Sequence, residues 1–411
     1  MQRIANHLCL AMLCSLGMAV VANAQDTTCE RNHYILASKS WAATGQLGIA
    51  RSGHSATLLA DGKVLVVGGD AFTERTSDHT ISFSGSTAEL YDPETGRWTP
   101  TGSPIVPRLG HAAALLPNGK VLIVGGDVAL ASPPSGISRI GGTAELYDPE
   151  TGTWSLTGSL RTPRGGFALS PLADGSILVA AGYDDFDNSL DSTEIYDPAT
   201  GEWHVSGNLT APRMMPTATL LGDGRVLVTG GWSDDFSQLA LASTELYDPV
   251  SARWASTAPM GEVRSLHTAT RLADGTVLVA GGYHSNPPGG SGDYVPIAIS
   301  GAEIYDPAAD RWHAVGNLGQ SRSGHTATLL DDGTVLAIGG VDANTGTNVL
   351  AEERYDPVSA AWVAAGTSTV GPSNHTATLL KDGTVLVAGG DFLPAQTPVD
   401  TVERFIANGC Q

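Results

Sequence analysis

Short apolar runs separated by turn signals repeat seven times along the chain, with a period of about 50 residues. In the first copy, an alternating run over 51–58 is followed by an Asp-Gly turn and by an apolar run that ends in Gly68-Gly69. A third run contains Tyr91, and a fourth contains Trp98. Short runs of this kind, bounded by turn residues, predict strands. Each copy therefore predicts four antiparallel strands.

The first two runs of every copy are joined by Asn-Gly or Asp-Gly. This dipeptide between apolar runs predicts a tight hairpin with a type I′ turn, in which both central residues have positive φ. The seven turns are Asp61-Gly62, Asn118-Gly119, Asp174-Gly175, Asp223-Gly224, Asp274-Gly275, Asp332-Gly333 and Asp382-Gly383.

Seven four-stranded units of this kind predict an all-β, seven-bladed β-propeller over residues 41–411. The last copy ends shortly after Phe405 and lacks the fourth-run Trp, whereas Trp41 precedes the first copy. We therefore predict that the strand around Trp41 joins the last blade and closes the ring.

The first 24 residues have the pattern of a secretory signal, with Arg3, an apolar run over Leu8–Val21 and a small-residue site at Ala22-Asn23-Ala24. We expect cleavage near Ala24, a lead segment over 25–40, a secreted or periplasmic protein and no membrane span. The formal net charge of −20 argues against nucleic acid as a partner, because nucleic acid needs clustered Lys and Arg.

The ordered set Arg-x-Gly-His, Gly-Gly, Tyr-Asp-Pro and Trp resembles the kelch repeat, and Leu-Leu-x-Asp-Gly-x-Val-Leu-Val resembles the galactose oxidase central domain of the same superfamily. The resemblance covers residues 41–406 and suggests an exported, bacterial-type member. The copper centre of galactose oxidase is not carried over, since no innermost strand has a Tyr beside its His and no Cys lies inside the propeller. We assign no catalytic residue, metal or cofactor.

Several repeated residues are interpreted as structural. The Tyr and Trp of each copy are expected to wedge between sheets, and the Glu two residues before each Tyr position is expected to partner the repeated Arg or backbone donors. His54, His111, His267, His325 and His375 recur in one place, where Phe167 and Pro216 replace them, and are interpreted as structural rather than metal ligands. The glutamates are Glu89, Glu145, Glu194, Glu245, Glu303, Glu353 and Glu403.

Two sets of residues on one face are candidates for ligand binding. The resemblance permits the repeated arginines as contacts: Arg51, Arg108, Arg164, Arg213, Arg264 and Arg322. The first residues after the paired glycines predict an acidic sector, Asp70, Asp127 and Asp391, and an aromatic sector, Tyr183, Trp232 and Tyr283. The alternative is that Asp and Arg pair with one another and that the aromatics cover the channel mouth. Asp184, Asp185, Asp187, Asp234 and Asp235 add a weaker cation hypothesis.

These features favour a monomeric, non-catalytic module that binds a protein, peptide or glycan. One alternative is a carbohydrate-active enzyme similar to the periplasmic kelch-type sugar epimerases or mutarotases. A second is a structural, cell-surface interaction protein.

The two cysteines beyond the signal, Cys29 and Cys410, flank the gap in the closing blade, and we predict that they form a disulfide in an oxidising compartment. Such a bridge would stabilise the ring by roughly 5 kcal/mol at most. Thiol titration of the denatured, unreduced protein should find neither cysteine free, and two free thiols would contradict the prediction.

Overall fold

The structure is a computed structural model, and it describes residues 40–69, 87–129, 138–234, 240–286, 295–368, 373–393 and 397–406. All of them belong to one compact unit, Lys39–Gln411. They form seven four-stranded antiparallel sheets, and these described ranges contain strands and no helix. The prediction of an all-β, seven-bladed propeller is confirmed.

Each blade runs from an innermost to an outermost strand, and every set below follows the order of blades one to seven. The innermost strands are Ser55–Leu58, Ala112–Leu115, Ala168–Pro171, Thr217–Leu220, Thr268–Arg271, Thr326–Leu329 and Thr376–Leu379. The second strands are Val64–Val67, Val121–Val124, Ile177–Ala180, Val226–Thr229, Val277–Ala280, Val335–Ile338 and Val385–Ala388. The third strands are Ala88–Asp92, Ala144–Asp148, Thr193–Asp197, Thr244–Asp248, Ala302–Asp306, Ala351–Asp356 and Val402–Ile406. The outermost strands are Arg97–Pro100, Thr153–Leu156, Glu202–Val205, Arg253–Thr257, Arg311–Ala314, Ala361–Thr367 and, in blade seven, Ser40–Ala43.

Short additional strands lie in the loops that follow the paired glycines and, for Arg108–Leu109, in the segment that enters the innermost strand of blade two. They are Arg108–Leu109 with Asp127–Ala129 and Ser138–Ile140, Tyr283–Asn286 with Val295–Ala298, Val341–Asp342 with Thr347–Asn348, and Asp391–Phe392 with Thr397–Pro398. The described parts of the long loops predicted in blades two and five thus pair as antiparallel strands, and the long loop of blade one, over 70–86, lies outside the described residues.

The ring is closed by the N-terminal strand, as predicted. Ser40–Ala43 pairs with Val402–Ile406 and places Trp41 opposite Phe405, with ring centroids 5.5 Å apart. Trp41 Nε1 also donates a 2.7 Å hydrogen bond to Glu352 Oε2 of the preceding blade. One aromatic side chain therefore links the two ends of the propeller to blade six.

The apolar core lies between neighbouring blades. Seven clusters of buried residues each combine side chains of two adjacent sheets. Between blades two and three, for example, Val124 packs with Val179 and Tyr196. The second strands are buried throughout, and apolar except for Thr229, because both of their faces meet a neighbouring sheet.

The repeated aromatic residues belong to this frame, as predicted. Tyr91 is buried and its ring centroid lies 5.0 Å from that of Trp98 on the adjacent strand. The Tyr91 hydroxyl is 2.7 Å from Thr44 Oγ1, and Trp98 Nε1 donates to the Gly45 carbonyl at 2.8 Å. This pair therefore joins blade one to the segment that leaves blade seven, and Tyr147 with Trp154 joins blade two to blade one in the same way.

The predicted type I′ turns are wrong. In blade one, Gly62 donates to the Leu59 carbonyl at 3.0 Å and Leu59 donates to the Lys63 carbonyl at 2.8 Å, so the loop has three residues. Gly62 has a φ of 92°, but Asp61 does not have a positive φ. This is the three-residue hairpin in which a type I turn precedes a left-handed glycine. The same geometry recurs in all seven blades.

Candidate functional site

One face of the propeller is built from the loops that enter the innermost strands and the loops that leave the second strands, and we call it the loop face. Backbone bridges join the two sets: Gly165 pairs with Tyr183, and Met214 pairs with Trp232. The N–H to carbonyl distances of these two bridges are 2.7–3.0 Å. The predicted coincidence of the arginine segments and the post-glycine loops on one face is therefore observed.

The six repeated arginines are buried, with only 0–1% of each side chain exposed. Arg108 Nη2 donates to Glu145 Oε1 at 2.8 Å, and its Nη1 donates to the carbonyls of Gly125 and Thr143 at 3.1 and 3.0 Å. The equivalent ion pairs are Arg51–Glu89, Arg164–Glu194, Arg213–Glu245, Arg264–Glu303 and Arg322–Glu353, with N–O distances of 2.6–3.0 Å. Because a ligand on the surface cannot reach these guanidinium groups, we do not include them in the binding surface. Their partner is the repeated Glu and not Asp.

Each of these glutamates also holds the segment that enters the blade. Glu145 accepts hydrogen bonds from the backbone N–H groups of Ile105 and Val106 at 2.6 and 3.1 Å. Glu194 accepts from Arg161 and Thr162 in the same way, at 2.7 and 3.0 Å. The predicted roles of the glutamates, as partners of the Arg and of backbone donors, are both confirmed.

The five repeated histidines contact the neighbouring blade. His111 Nε2 lies 2.8 Å from Ser55 Oγ of blade one, and His375 Nε2 lies 2.9 Å from Thr326 Oγ1 of blade six. Burial, followed by the charge of Arg108, lowers the pKa of His111 to about 3. Burial lowers the pKa of His54, His267 and His325 as well, so these three and His111 are neutral near pH 7. All five histidines join innermost strands, as the structural interpretation predicted. Within the described ranges, no group of three or more His, Cys, Asp or Glu side chains could hold a metal ion.

The three aromatic residues after the glycine pairs lie at the loop face and are half-buried, unlike the buried tyrosines of the third strands. The Trp232 and Tyr283 rings are 5.6 Å apart between centroids and inclined by 31°. Tyr183 lies on the backbone of blade three, where a Cβ on Gly166 would be 2.6 Å from Tyr183 Cε1. The predicted aromatic sector is thus formed by side chains from three successive blades.

The acidic sector differs from its prediction. Asp391 is buried and accepts hydrogen bonds from Ser373 Oγ and, at 3.0 Å, from Asn374 Nδ2, so it is part of the fold. Asp127 is half-buried, and burial together with Asp185 and Asp187 raises its pKa. The negative charge at this face is therefore grouped beside Tyr183 in blades two and three. Asp70 lies outside the described residues.

The other acidic residues of the cation hypothesis make hydrogen bonds within the loops. Asp184 accepts from the backbone N–H groups of Phe186 and Asn188 at 2.9 and 3.0 Å. Asp234 accepts from Ser189 Oγ at 2.5 Å. Asp235 lies outside the described residues. The four described aspartates therefore do not form a metal centre in this structure.

Three exposed apolar residues at this face were missed from the sequence, and one of them, Phe186 in the loop after Tyr183, is 82% exposed. The other two, Met215 and Leu266, are 36% and 38% exposed and have left-handed φ values of 53° and 50°. They occupy the glycine position of Arg-x-Gly-His in blades four and five, which in blade three is Gly166. The signal that would have found these two is the replacement of a repeated glycine by a large side chain.

The comparisons with known proteins agree with this architecture. A model described as the KLHDC2/KLHL20/DRC7 Kelch-repeats domain matches residues 22–231. The F-box/kelch-repeat protein SKIP30 of Arabidopsis thaliana is 30% identical over 128 residues, 31% of this chain and 34% of that protein. Kelch-like protein 23 of Mus musculus is 35% identical over 82 residues, 20% of this chain and 13% of that protein. The chain thus matches about a third or less of these relatives' length.

Solved structures show the same fold at low sequence identity. One is described as a novel fungal alcohol oxidase with catalytic diversity among the AA5 family, in complex with copper. It has a TM-score of 0.67 and 17% sequence identity, and the match covers 89% of this chain and 76% of the oxidase chain. The structure of YjhT has a TM-score of 0.60 and 14% identity, and covers 78% of this chain and 98% of its own. The resemblance to kelch repeats is confirmed. The resemblance to galactose oxidase-like propellers is confirmed in fold alone, and export stays a prediction.

The buried ion pair of blade two gives a stability prediction. Glu145→Ala should destabilise the protein by about 3–5 kcal/mol, because Arg108 would remain buried without a counter-charge. Glu403→Ala is the matched control, since blade seven has Pro372 in place of the Arg and so leaves no buried guanidinium behind. Urea unfolding of both variants tests this, and equal losses would mean that the guanidinium is not what the carboxylate stabilises.

The buried histidines predict a pH dependence. The pKa of His111 is about 3 in the folded state and 6.5 without burial, so the unfolded chain binds one more proton between these values and stability falls as the pH falls below 6.5. His111→Phe copies Phe167 of blade three and removes this titration. Relative to the variant, the wild type should lose up to about 1.4 kcal/mol per pH unit. Urea unfolding at pH 7.5, 6 and 5 measures the difference, and a constant difference would exclude a neutral folded-state His111.

Proposed function

Since the chain belongs to the kelch-repeat family, we propose that its propeller is a non-catalytic binding module whose ligand, a protein, peptide or glycan, sits on the loop face. Kelch propellers commonly act as protein-interaction modules. The proposed contact residues are Tyr183, Trp232 and Tyr283. The six arginines support the surface from below through their ion pairs with glutamates.

The observation that carries this proposal is the contrast between two sets of aromatic residues. The tyrosines of the third strands, such as Tyr247, are fully buried and packed on a Trp of the same blade. Trp232 and Tyr283 instead pack on one another and keep part of their surface in solvent. Partly exposed aromatic rings provide a large contact area at low entropic cost and suit sugar rings or peptide side chains.

We also propose that the module is exported. The support is the sequence of residues 1–24 and the two remaining cysteines, which suit an oxidising compartment. N-terminal sequencing of the protein secreted by its own host should then begin at Gln25.

Trp232→Ala tests the binding surface directly. In a screen of immobilised glycans and peptides, the substitution should weaken the hits at least tenfold, because an aromatic anchor at the centre of a contact commonly supplies about 2 kcal/mol or more. Val358→Ala, in an exposed turn between the third and outermost strands of blade six, is the control and should leave the hits unchanged. Binding that is indifferent to Trp232→Ala would place the site elsewhere.

A further inference from the structure

The glycine position of the Arg-x-Gly-His motif forms the inner edge of the loop face. These residues all have left-handed φ values between 50° and 62°. Backbone hydrogen bonds join neighbouring blades at this level: Gly110 donates to the Gly53 carbonyl at 2.9 Å, and Met215 donates to the Gly166 carbonyl at 2.6 Å. The seven residues, in blade order, are Gly53, Gly110, Gly166, Met215, Leu266, Gly324 and Asn374.

At this edge, Met215 and Leu266 adopt a left-handed backbone conformation that is unfavourable for their residue types. A left-handed conformation brings Cβ close to the following carbonyl and is unfavourable for every residue with a side chain except, in part, Asn and Asp. Asn374 is thus accounted for, whereas Met215 and Leu266 are not. Glycine would satisfy the fold at both positions, as it does at Gly324, so the two side chains are retained against a local conformational penalty.

Met215 and Leu266 extend the aromatic residues into one apolar surface. Gly166 brings Tyr183 and Met215 together, since a Cβ placed there would be 2.6 Å from Tyr183 Cε1 and 3.2 Å from Met215 Cγ. Trp232 is bridged to the residue that precedes Met215, and Tyr283 is bridged to the residue that precedes Leu266. We call the five side chains, Tyr183, Met215, Trp232, Leu266 and Tyr283, the apolar patch.

The border of the apolar patch is negatively charged. Burial, followed by the charges of Asp127 and Asp187, raises the pKa of the Tyr183 hydroxyl. Asp185 lies beside them and accepts a 2.6 Å hydrogen bond from the backbone of Ile140. The sequence has no Lys or Arg over residues 165–212, and Arg164 and Arg213 on either side are buried in ion pairs. No cation of blade three therefore neutralises this border; in blade two, Arg139 lies opposite Val128, next to Asp127.

We infer that the apolar patch and its acidic border bind a basic linear peptide segment of a protein partner. An apolar side chain of the segment packs on Met215, Leu266 and Trp232, and an adjacent Lys or Arg pairs with Asp127 and Asp187. An aromatic floor adds attraction for the same cation, and a Met side chain adapts to the shape of the apolar residue. Neutral glycans would leave the acidic border unused, and acidic peptides would be repelled by it. This inference rests on the proposed function and names its ligand class.

Four labelled peptides of equal length test the inference, and each is named by the two residue types that it contains. Lys/Leu has both the basic and the apolar residue, Glu/Leu and Ser/Leu replace the basic residue, and Lys/Ser replaces the apolar one. Fluorescence anisotropy at 20 and 200 mM NaCl should show Lys/Leu binding at least tenfold more tightly than the other three at low salt, with a clear loss at high salt. Met215→Gly/Leu266→Gly should weaken Lys/Leu about tenfold, the loss of buried apolar contact, while its thermal midpoint stays the same or rises, because Gly suits the backbone there. Asp127→Asn/Asp187→Asn should weaken it about fivefold and reduce the salt dependence.

The remaining outcomes separate this inference from the proposed function. Three outcomes would overturn the basic-peptide inference: preference for Glu/Leu, equal binding of Ser/Leu, or displacement by neutral oligosaccharides without any preference for Lys/Leu. If Trp232→Ala abolished the binding seen in any of these cases, a binding module at this face would still be supported. Lys/Leu binding that survives Trp232→Ala and Met215→Gly/Leu266→Gly would overturn both. No binding of any peptide would overturn the basic-peptide inference.

Discussion

The loop face depends on one repeated interaction, the buried Arg–Glu pair. A guanidinium removed from water is stabilised only if a counter-charge and acceptors surround it, and Arg108 obtains these from Glu145 and from the carbonyls of Gly125 and Thr143. The same carboxylate receives the N–H groups of the segment arriving from the previous blade. One pair therefore fixes the glycine turn, the third strand and the incoming loop together, and six blades repeat it.

Because the arginines are used in this way, recognition at the loop face depends on the residues above them. The rigid ring, with its paired Tyr and Trp side chains, holds surface side chains such as Trp232 in place. Its buried Arg and Glu charges need not contact the ligand. The loop residues are then free to differ from blade to blade, since none of them is needed for the ion pairs. This separates a constant frame from a variable surface, the arrangement in which loops on a rigid scaffold carry binding.

Much of this frame follows from the sequence because a repeat tests each position several times. Closure through Trp41 and the pairing of Glu with Arg were both predicted from period and register. The turn type was not, because Asp-Gly fits two hairpins and only the pairing of Leu59 with Lys63 shows the extra residue. Nor could sequence separate Asp391 from Asp127: the former is buried because Ser373 and Asn374 donate to it, contacts set by the tertiary structure. Charged residues are rarely buried, so the burial of the arginines was also unexpected.

Three kinds of departure from the repeat fall together in blades three to five, on one arc of the ring; blade seven departs at other points, with Pro372 at the Arg position and Asn374 at the inner edge. The histidine position changes to Phe167 and Pro216 in blades three and four, and the inner-edge glycine changes to Met215 and Leu266 in blades four and five. In the same three blades, the residue after the glycine pair is aromatic. None of these changes alters an Arg–Glu pair or a Tyr–Trp pair of those blades. Three positions with different structural roles thus depart from the repeat on one side of the loop face while the frame beneath stays constant, as expected if that side is shaped by a ligand rather than by folding.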